Sequence, residues 1–205
     1  MSTSSITAQG NYSVSGAIDY SGPQVGDLII RACPVNAENK TLKLDGSGDY
    51  IKTDLTDLSG SEITSQYWFK GVSNQSAVRI QNGGSWIVAG WNGKHILQND
   101  DGVNGVSIGD SYNDGEWHHI TLSWKKNTEG GFASYVDGEL VSSRNSSDSD
   151  IPNHEAPVYI GAFNGLGEFT SGSLDEVVIW SRALTAEEIK TNWNKKLTGE
   201  EDGII

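Results

Sequence analysis

The chain has 205 residues, and its 27 Asp and Glu against 14 Lys and Arg give a net charge of −13. That charge argues against nucleic acid and anionic membrane surfaces as partners, because both bind cationic proteins. The single cysteine, Cys33, excludes an internal disulfide bond and a zinc site built from cysteines. No apolar run approaches the ~20 residues that cross a bilayer, so we expect no membrane insertion.

The spacing of the glycines predicts the fold class. The 25 glycines separate short runs rich in Ile, Val, Tyr and Trp. Turns at intervals of about 8–12 residues are typical of β-sandwiches and barrels. The length suits one large all-β domain or two small ones. We therefore expect an all-β, two-sheet antiparallel β-sandwich.

The chain divides into four segments by pattern. Residues 1–10 predict a disordered lead, without the charged and apolar regions of a secretory signal. Residues 11–40 predict a β-hairpin followed by a linker, residues 41–198 the main sandwich, and residues 199–205 a tail. If the protein is secreted, we expect the signal to lie in a longer parent chain.

Two stretches in the middle of the chain have a clear pattern. Residues 98–115 are acidic and glycine-rich, which indicates a long exposed loop around one short strand. In the strand that follows, His118 faces the same side as Ile120, and His119 faces the other side. Adjacent strand residues cannot converge on one ion, so the two histidines do not predict a metal site. At least one of them is expected to be a core histidine.

Residues 172–180 read as a strand with simple alternation. That alternation places Asp175 and Glu176 on opposite faces.

A short helix is predicted directly after this strand. Thr185 followed by Glu188 forms a capping box, a typical helix start. Ile189, Trp193 and Leu197 then fall four apart and form one apolar stripe. This is the one convincing helix in the sequence, and we expect it to lie against a sheet.

Five segments carry a resemblance to a known family: LKLDGSGDYI (42–51), DGEWHHITLSW (114–124), YVDGELV (135–141), YIGAF (159–163) and GSLDEVVIWSRALTAEEI (172–189). In this order they resemble the laminin-G-like jelly rolls of the concanavalin A-like lectin and glucanase superfamily. The resemblance implies a sandwich that often holds calcium and binds glycan or protein at its loop-bearing edge or concave face. The tail resembles a junction to a further module, so we expect a piece of a larger extracellular or cell-surface protein.

The leading candidates for calcium ligands are four acidic residues: Asp45, Asp49, Asp175 and Glu176. Calcium binds several hard oxygens at once, and glycine turns bring carbonyl groups beside carboxylates. The alternatives are that Asp45 and Asp49 only accept hydrogen bonds from turn amides, and that Glu176 forms a salt bridge with Arg182. Ca²⁺ is the one cofactor that these residues suggest.

The sequence does not predict an enzyme. Glycoside cleavage requires two suitably spaced carboxylates on either side of the scissile bond. The resemblance implies that strand 172–180 corresponds to the strand on which bacterial glucanases carry Glu-x-Asp-x-x-Glu, but here only the adjacent pair Asp175-Glu176 is present. Nucleophile-elbow and phosphate-loop motifs are also absent.

One surface is predicted to bind a glycan, because aromatic rings stack on the apolar faces of sugars. Trp91 precedes the Asn92-Gly93 turn, and Tyr112 lies near the end of the 98–115 loop. We expect any glycan site to use these groups and polar residues of the loop: Trp91, Asn92, Asp100, Asp101, Asn104 and Tyr112. The alternative is that Trp91 lies in the core and the loop is only solvated.

The sequence as a whole predicts a non-catalytic, calcium-dependent glycan-binding module of an extracellular surface protein, with protein as a further possible partner. The alternative is a structural spacer or a protein–protein adhesion module without a glycan site.

Overall fold

The structure is a computed structural model. It describes residues 7–9, 13–14, 18–19, 29–32, 41–53, 55, 58–73, 78–82, 85–89, 95–98, 105–108, 112–146, 157–163 and 167–195.

These ranges hold sixteen strands and one helix. The strands are β1 Thr7–Gln9, β2 Ser13–Val14, β3 Ile18–Asp19, β4 Ile29–Ala32, β5 Leu42–Asp45, β6 Tyr50–Lys52, β7 Glu62–Ser73, β8 Val78–Asn82, β9 Ser85–Ala89, β10 His95–Gln98, β11 Gly105–Ile108, β12 Trp117–Lys125, β13 Phe132–Val136, β14 Glu139–Arg144, β15 Val158–Ile160 and β16 Ser171–Trp180. The helix is α1 Ala186–Asn192.

The strands form two principal antiparallel sheets and a separate β10–β11 pair. The smaller sheet has the order β1-β6-β15-β8-β9. The larger sheet has the order β14-β13-β12-β7-β16-β4-β3, with β5 beside β16 and β2 beside β5. The predicted all-β sandwich with one short helix is thereby confirmed.

The core lies between the two sheets. One buried apolar cluster takes Ile51 and Ile160 from the smaller sheet and Tyr67, Phe69 and Leu122 from the larger one. Alternate residues of β7 and β12 point into this cluster, as the two-residue period of a strand requires. The residues between them in the sequence, many of them polar, lie on the other face of the larger sheet, which faces α1.

The helix lies on the outer face of the larger sheet because the chain between β16 and α1 is held to β7. Thr64 Oγ1 donates a hydrogen bond to the carbonyl oxygen of Arg182 (2.9 Å) and accepts one from the N–H of Leu184 (3.0 Å). A second apolar cluster buries Ile189 of α1 against Trp180, Val178 and other residues of that face.

The capping box that the sequence predicts is present. Thr185 Oγ1 accepts a hydrogen bond from the N–H of Glu188, whose side chain accepts one from the N–H of Thr185. Ile189 is fully buried, and Trp193 is the C-cap of the helix. Leu197, the last residue of the predicted stripe, lies outside the described residues.

The amino-terminal residues that the structure describes add strands to both sheets. β1 lies within the segment predicted as a disordered lead, and it pairs with β6. β3 and β4 pair in an antiparallel manner. β4 also pairs with β16, and β2 pairs with β5, so these strands extend the larger sheet. The four-segment division of the chain remains a prediction.

A β-bulge interrupts β16 at Asp175 and Glu176. Asp175 is opposite Trp68 on β7, but Val178, three residues on, is opposite Gln66, only two residues away. Val177 belongs to the inner core and Val178 to the cluster beneath α1. The simple alternation predicted for this strand is therefore wrong, because the extra residue shifts the faces. The register places Asp175 on the outer face, and Glu176 lines a cleft on that same face.

Candidate functional site

Most of the predicted glycan-binding residues lie outside the described residues: Trp91, Asn92, Asp100, Asp101 and Asn104. Tyr112 is described. It is half-buried and packs against the core, and its ring meets the His118 ring edge-on with centroids 5.3 Å apart. In this position Tyr112 supports His118 from within the sandwich. The loop site remains a prediction.

The Asp45–Asp49 turn is built on hydrogen bonds to main-chain amides. Asp45 Oδ1 accepts a hydrogen bond from the N–H of Ser47 (2.7 Å), and Asp49 Oδ2 accepts one from the N–H of Asp45 (3.1 Å). Gly46 and Gly48 have φ of 81° and 97°, which the tight turn requires. Asp49 is fully buried and Asp45 is exposed. Hydrogen bonds from turn amides, the alternative to calcium binding, therefore account for one oxygen of each carboxylate.

The two acidic pairs lie at different places along β16. Asp45 is opposite Ser171, whereas Asp175 is four residues further along the strand, about 13 Å at the usual rise. Asp175 Oδ1 accepts a hydrogen bond from the N–H of Glu176 (2.8 Å). Across the part of the chain that the structure describes, no three His, Cys, Asp or Glu side chains form a group that could hold a metal ion. A calcium ion at the Asp45–Asp49 turn would therefore need main-chain carbonyl ligands as well.

A cleft of about 200 Å³ lies between the outer face of the larger sheet and α1. Residues of three strands, the β16–α1 connection and the helix end line it: Gln66, His119, Glu176, Trp180, Arg182, Leu184, Glu188, Asn192, Trp193 and Lys195. We refer to it as the helix-side cleft.

The floor of the helix-side cleft is a polar network. Trp180 Nε1 donates a hydrogen bond to Gln66 Oε1 (2.7 Å), and Gln66 Nε2 donates one to Thr121 Oγ1 (3.1 Å). Thr121 Oγ1 also lies 3.5 Å from His119 Nδ1. Both ends of the Gln66 amide are thus engaged, which fixes the Trp180 and His119 rings around it.

Trp193 forms one wall of the helix-side cleft. Its ring lies against Trp68 (centroids 5.8 Å apart) and His119 (6.3 Å). Gly138, in the β13–β14 turn, lies so close that a Cβ built there would be 2.3 Å from Trp193 Cδ1. The indole is therefore held between a strand, a turn and the helix end, and it keeps partial exposure.

Charged groups form the rim of the helix-side cleft. Arg182 Nη2 lies 2.9 Å from Glu188 Oε1, and the Arg182 guanidinium lies 5.3 Å from the centre of the Trp180 ring. The hydrogen bond from Arg182 lowers the pKa of Glu188 to about 2. Lys195 Nζ donates a hydrogen bond to Asn192 Oδ1 (2.9 Å). Arg182 therefore has Glu188 as a partner.

His119 is almost fully buried in the floor of the cleft, as expected for at least one of the two histidines. Burial lowers its pKa to about 4, against the opposing charge of Asp137. The imidazole is therefore neutral at physiological pH, with one nitrogen that donates and one that accepts.

His118 lies at the other side of the strand, in a second polar cluster. Its Nδ1 is 2.8 Å from Asp137 Oδ2, and its Nε2 is 3.5 Å from Asp114 Oδ2. Partial burial disfavours protonation, but the hydrogen bonds and charges of Asp137 and Asp114 outweigh it and raise the pKa of His118. This cluster joins the 112–116 segment to the β13–β14 turn.

The helix-side cleft is not among the predicted sites, although the sequence contains a signal for it. Thr64, Gln66 and Trp68 alternate with core residues on β7, and His119, Thr121 and Ser123 do so on β12. Polar residues in register on two long neighbouring strands indicate a face with its own packing partner. The sequence does not indicate the β-bulge that turns Glu176 toward that face.

Comparisons with known proteins agree with the architecture. Residues 45–190 match the laminin-G model of the concanavalin A-like lectin/glucanases superfamily. A rat protein named for its sushi, von Willebrand factor type A, EGF and pentraxin domains is 26% identical over 170 residues. That alignment covers 75% of this chain and 5% of the relative, so the chain spans a small part of the curated relative it matches.

Two solved structures share the fold at low sequence identity. The binding domain of botulinum neurotoxin DC in complex with SialylT has a TM-score of 0.61 and 13% identity, covering 93% of this chain and 46% of that one. Domain 4 of AbnA, an extracellular arabinanase from Geobacillus stearothermophilus, in complex with arabinotriose, has a TM-score of 0.57 and 20% identity, covering 93% and 98%.

The helix of the described chain is too short to cross a membrane. The family model matches well over half of the chain, including the strands β7, β12 and β16 that form the centre of the larger sheet and the capped start of α1. The chain belongs to the laminin-G-like family of the concanavalin A-like lectin/glucanase superfamily.

Proposed function

We propose that this chain is a non-catalytic glycan-binding module of an extracellular protein. The observation that carries the proposal is that domain 4 of AbnA, which matches this chain over 98% of its length, is solved with arabinotriose. The botulinum neurotoxin DC binding domain, of which this chain matches 46%, is solved in complex with SialylT. Both structures are less than 25% identical to this chain, so the likeness establishes only a shared fold. The ligand of this chain is therefore inferred.

We infer the absence of catalysis in part from the arrangement of the two acids that the bulge brings to one face. Asp175 turns back to accept the N–H of Glu176, and Glu176 lines a cleft of about 200 Å³. A glycosidase must hold the sugars on both sides of the scissile bond between its two carboxylates. Because one oxygen of Asp175 is engaged by the main chain, Asp175 is poorly placed to act as the second carboxylate beside Glu176.

The extracellular setting and the larger parent rest on the relatives. The arabinanase that contains the matching domain is described as extracellular, and the rat relative is named for several kinds of domain. A strongly acidic surface with a single cysteine is compatible with that setting. We infer that this chain is one module of a longer extracellular protein.

A protein–protein adhesion module is the second candidate, and one observation favours it. β14 is the last strand of the larger sheet as described, and it carries two exposed apolar side chains, Leu140 (55% exposed) and Val141 (39% exposed). Exposed apolar residues on an edge strand are suited to pairing with another protein chain.

A glycan array probed with the intact chain separates the two candidates. A glycan-binding module gives reproducible hits that compete with the free saccharide. The predicted loop site is tested with Trp91→Ala and with Tyr112→Phe, which keeps the packing of the ring. An array without hits, with binding instead to a protein and loss of that binding in Leu140→Ser, would favour adhesion and refute the glycan proposal.

A further inference from the structure

Glu176 has a strained backbone at the point where it enters the helix-side cleft. Its φ is 44°, in the left-handed region, and it is the extra residue of the bulge in β16. A bulge residue with that conformation is normally glycine, because residues other than Gly, Asn and Asp are disfavoured there. Bulges with non-glycine residues of this kind occur beside binding sites, where they redirect a side chain.

The helix-side cleft combines rings and hydrogen-bonding groups in a fixed arrangement. Trp193, which is partly exposed, supplies flat apolar surface, and the buried Trp180 lies in the floor. Glu176 and Asn192 supply oxygens, and His119 supplies a neutral ring nitrogen. The Gln66 network and the Gly138 contact hold the two indoles in place before any ligand arrives. Such preorganisation reduces the entropy that binding would otherwise cost.

The size and charge of the helix-side cleft restrict what it can bind. Its volume of about 200 Å³ suits one small ring. Two acidic residues, Glu176 and Glu188, and two basic residues, Arg182 and Lys195, line it, so the lining is neutral in sum. A neutral ring with several hydroxyl groups matches this lining, because hydroxyls both donate and accept and the ring's C–H face packs on an indole.

We propose that the helix-side cleft binds a single neutral monosaccharide unit of a glycan, with Trp193 as the stacking surface and the Glu176 carboxylate as a hydroxyl acceptor. This inference rests on the proposed glycan-binding function and gives it a site distinct from the Trp91 loop. Binding there leaves the unit's glycosidic bond intact and places the rest of the glycan along the end of α1.

The backbone strain supplies a variant that separates binding from folding. Glu176→Gly removes the carboxylate and relieves the backbone strain at a φ of 44°, so the variant should remain folded. Glu176→Gln keeps the shape of the side chain and removes only its charge. Glu187→Gln is the matched control, because Glu187 lies in the same segment of the chain, is exposed on α1 and does not line the cleft.

The measurement is a titration of the intact chain with the saccharide found by the array, and with free galactose, glucose, arabinose and N-acetylglucosamine. Binding is followed by calorimetry and by the indole N–H signals of Trp180 and Trp193. We expect Glu176→Gly to raise Kd by roughly tenfold or more, the scale of one hydrogen bond to a charged group. Glu187→Gln should bind like the wild type, and the two indole signals should shift during titration.

Three outcomes overturn the inference. Unchanged binding in folded Glu176→Gly and Glu176→Gln refutes this cleft and leaves the glycan function intact, with the Trp91 loop as its site. Saccharide binding that leaves the indole N–H signals of Trp180 and Trp193 unshifted places the ligand elsewhere and refutes this cleft. An array and a titration without any saccharide binding refute both the inference and the proposed function.

Discussion

The Nδ1 atom of His118 lies 2.8 Å from Oδ2 of Asp137, and the other oxygen of that carboxylate accepts the main-chain N–H of His119 at 2.8 Å. The N–H of Asp137 in turn donates to the carbonyl oxygen of His119 (2.9 Å). One aspartate in a hairpin turn thus fixes the first part of β12, from which one histidine points toward Tyr112 and the next into the floor of the helix-side cleft.

Removing the Asp137 carboxylate should destabilise the fold. Asp137→Ala leaves a ring nitrogen and a main-chain N–H without their acceptor, and it places alanine at a φ of 50°. We expect the free energy of unfolding to fall by about 2–3 kcal/mol. Asp114→Ala is the comparison, because Asp114 is exposed and lies further from the ring, so its loss should destabilise the fold less. Urea unfolding measures both, and equal effects would contradict the role given to Asp137.

Mild acid should weaken the fold through two buried histidines. Burial lowers the pKa of His95 to about 3 and that of His119 to about 4, below the ordinary value of 6.5. The unfolded chain takes up these protons below about pH 6.5 and the folded chain does not, so stability falls as the pH falls through that window. Each pKa unit corresponds to about 1.4 kcal/mol, so the loss should amount to several kcal/mol.

The direction in which each histidine changes the stability with pH can be tested with two variants. His119→Gln should reduce the stability lost between about pH 7 and about pH 5, because one depressed pKa is removed. His118→Gln should increase that loss, because the raised pKa of His118 favours the folded state as the pH falls from above its pKa toward 6.5. Urea unfolding at both pH values gives the two differences. The same shift in both variants would show that the histidines do not carry the effect.

The Trp193 wall can be tested through a glycine. Gly138→Ala places a Cβ 2.3 Å from the indole, whereas Gly130→Ala meets nothing within 4 Å, and both glycines have positive φ, 81° and 66°. Both variants share the backbone strain, and only Gly138→Ala also displaces Trp193. We expect Gly138→Ala to be less stable than Gly130→Ala by about 1–3 kcal/mol, the usual cost of overpacking. Equal stabilities would mean that the indole moves freely.

Calcium binding is expected at the Asp45–Asp49 turn. Millimolar calcium should raise the Tm of chelator-treated protein, since an ion bound only by the folded state adds about 2.7 kcal/mol at a hundredfold excess over Kd. Asp45→Asn should remove most of the shift. Asp175→Asn should leave it unchanged, because that residue lies four positions further along β16. A Tm that does not respond to calcium would contradict the prediction.

The fold could be predicted from the sequence because its signals are local. Two-residue alternation, glycine turns and the Thr185–Glu188 capping box depend on neighbours in the chain. The structure reproduces the alternation of core residues in β12, the glycine turn after β5 and the capping box. Asp137-Gly138 is a local signal of the same kind, because Asp-Gly favours a tight hairpin turn, and the two residues have φ of 50° and 81°.

The candidate site could not be predicted in full because its decisive features depend on partners distant in sequence. The bulge at Glu176 exists only in the register of β16 against β7, which a single sequence does not specify. Trp193 becomes a cleft wall because Trp68 and Gly138, far away in the chain, meet its ring. The sequence therefore indicated an apolar stripe on α1 but not the cleft beside it.

The central claim, that this module binds a glycan and leaves it intact, is tested most directly by saturation-transfer NMR on the array's best saccharide with the intact chain. The account predicts that magnetisation passes from the protein to the protons of one terminal sugar unit. It also predicts that the anomeric signals of the saccharide keep their intensities on prolonged incubation. Absence of transfer to every saccharide tested, or the growth of new reducing-end signals, would contradict it.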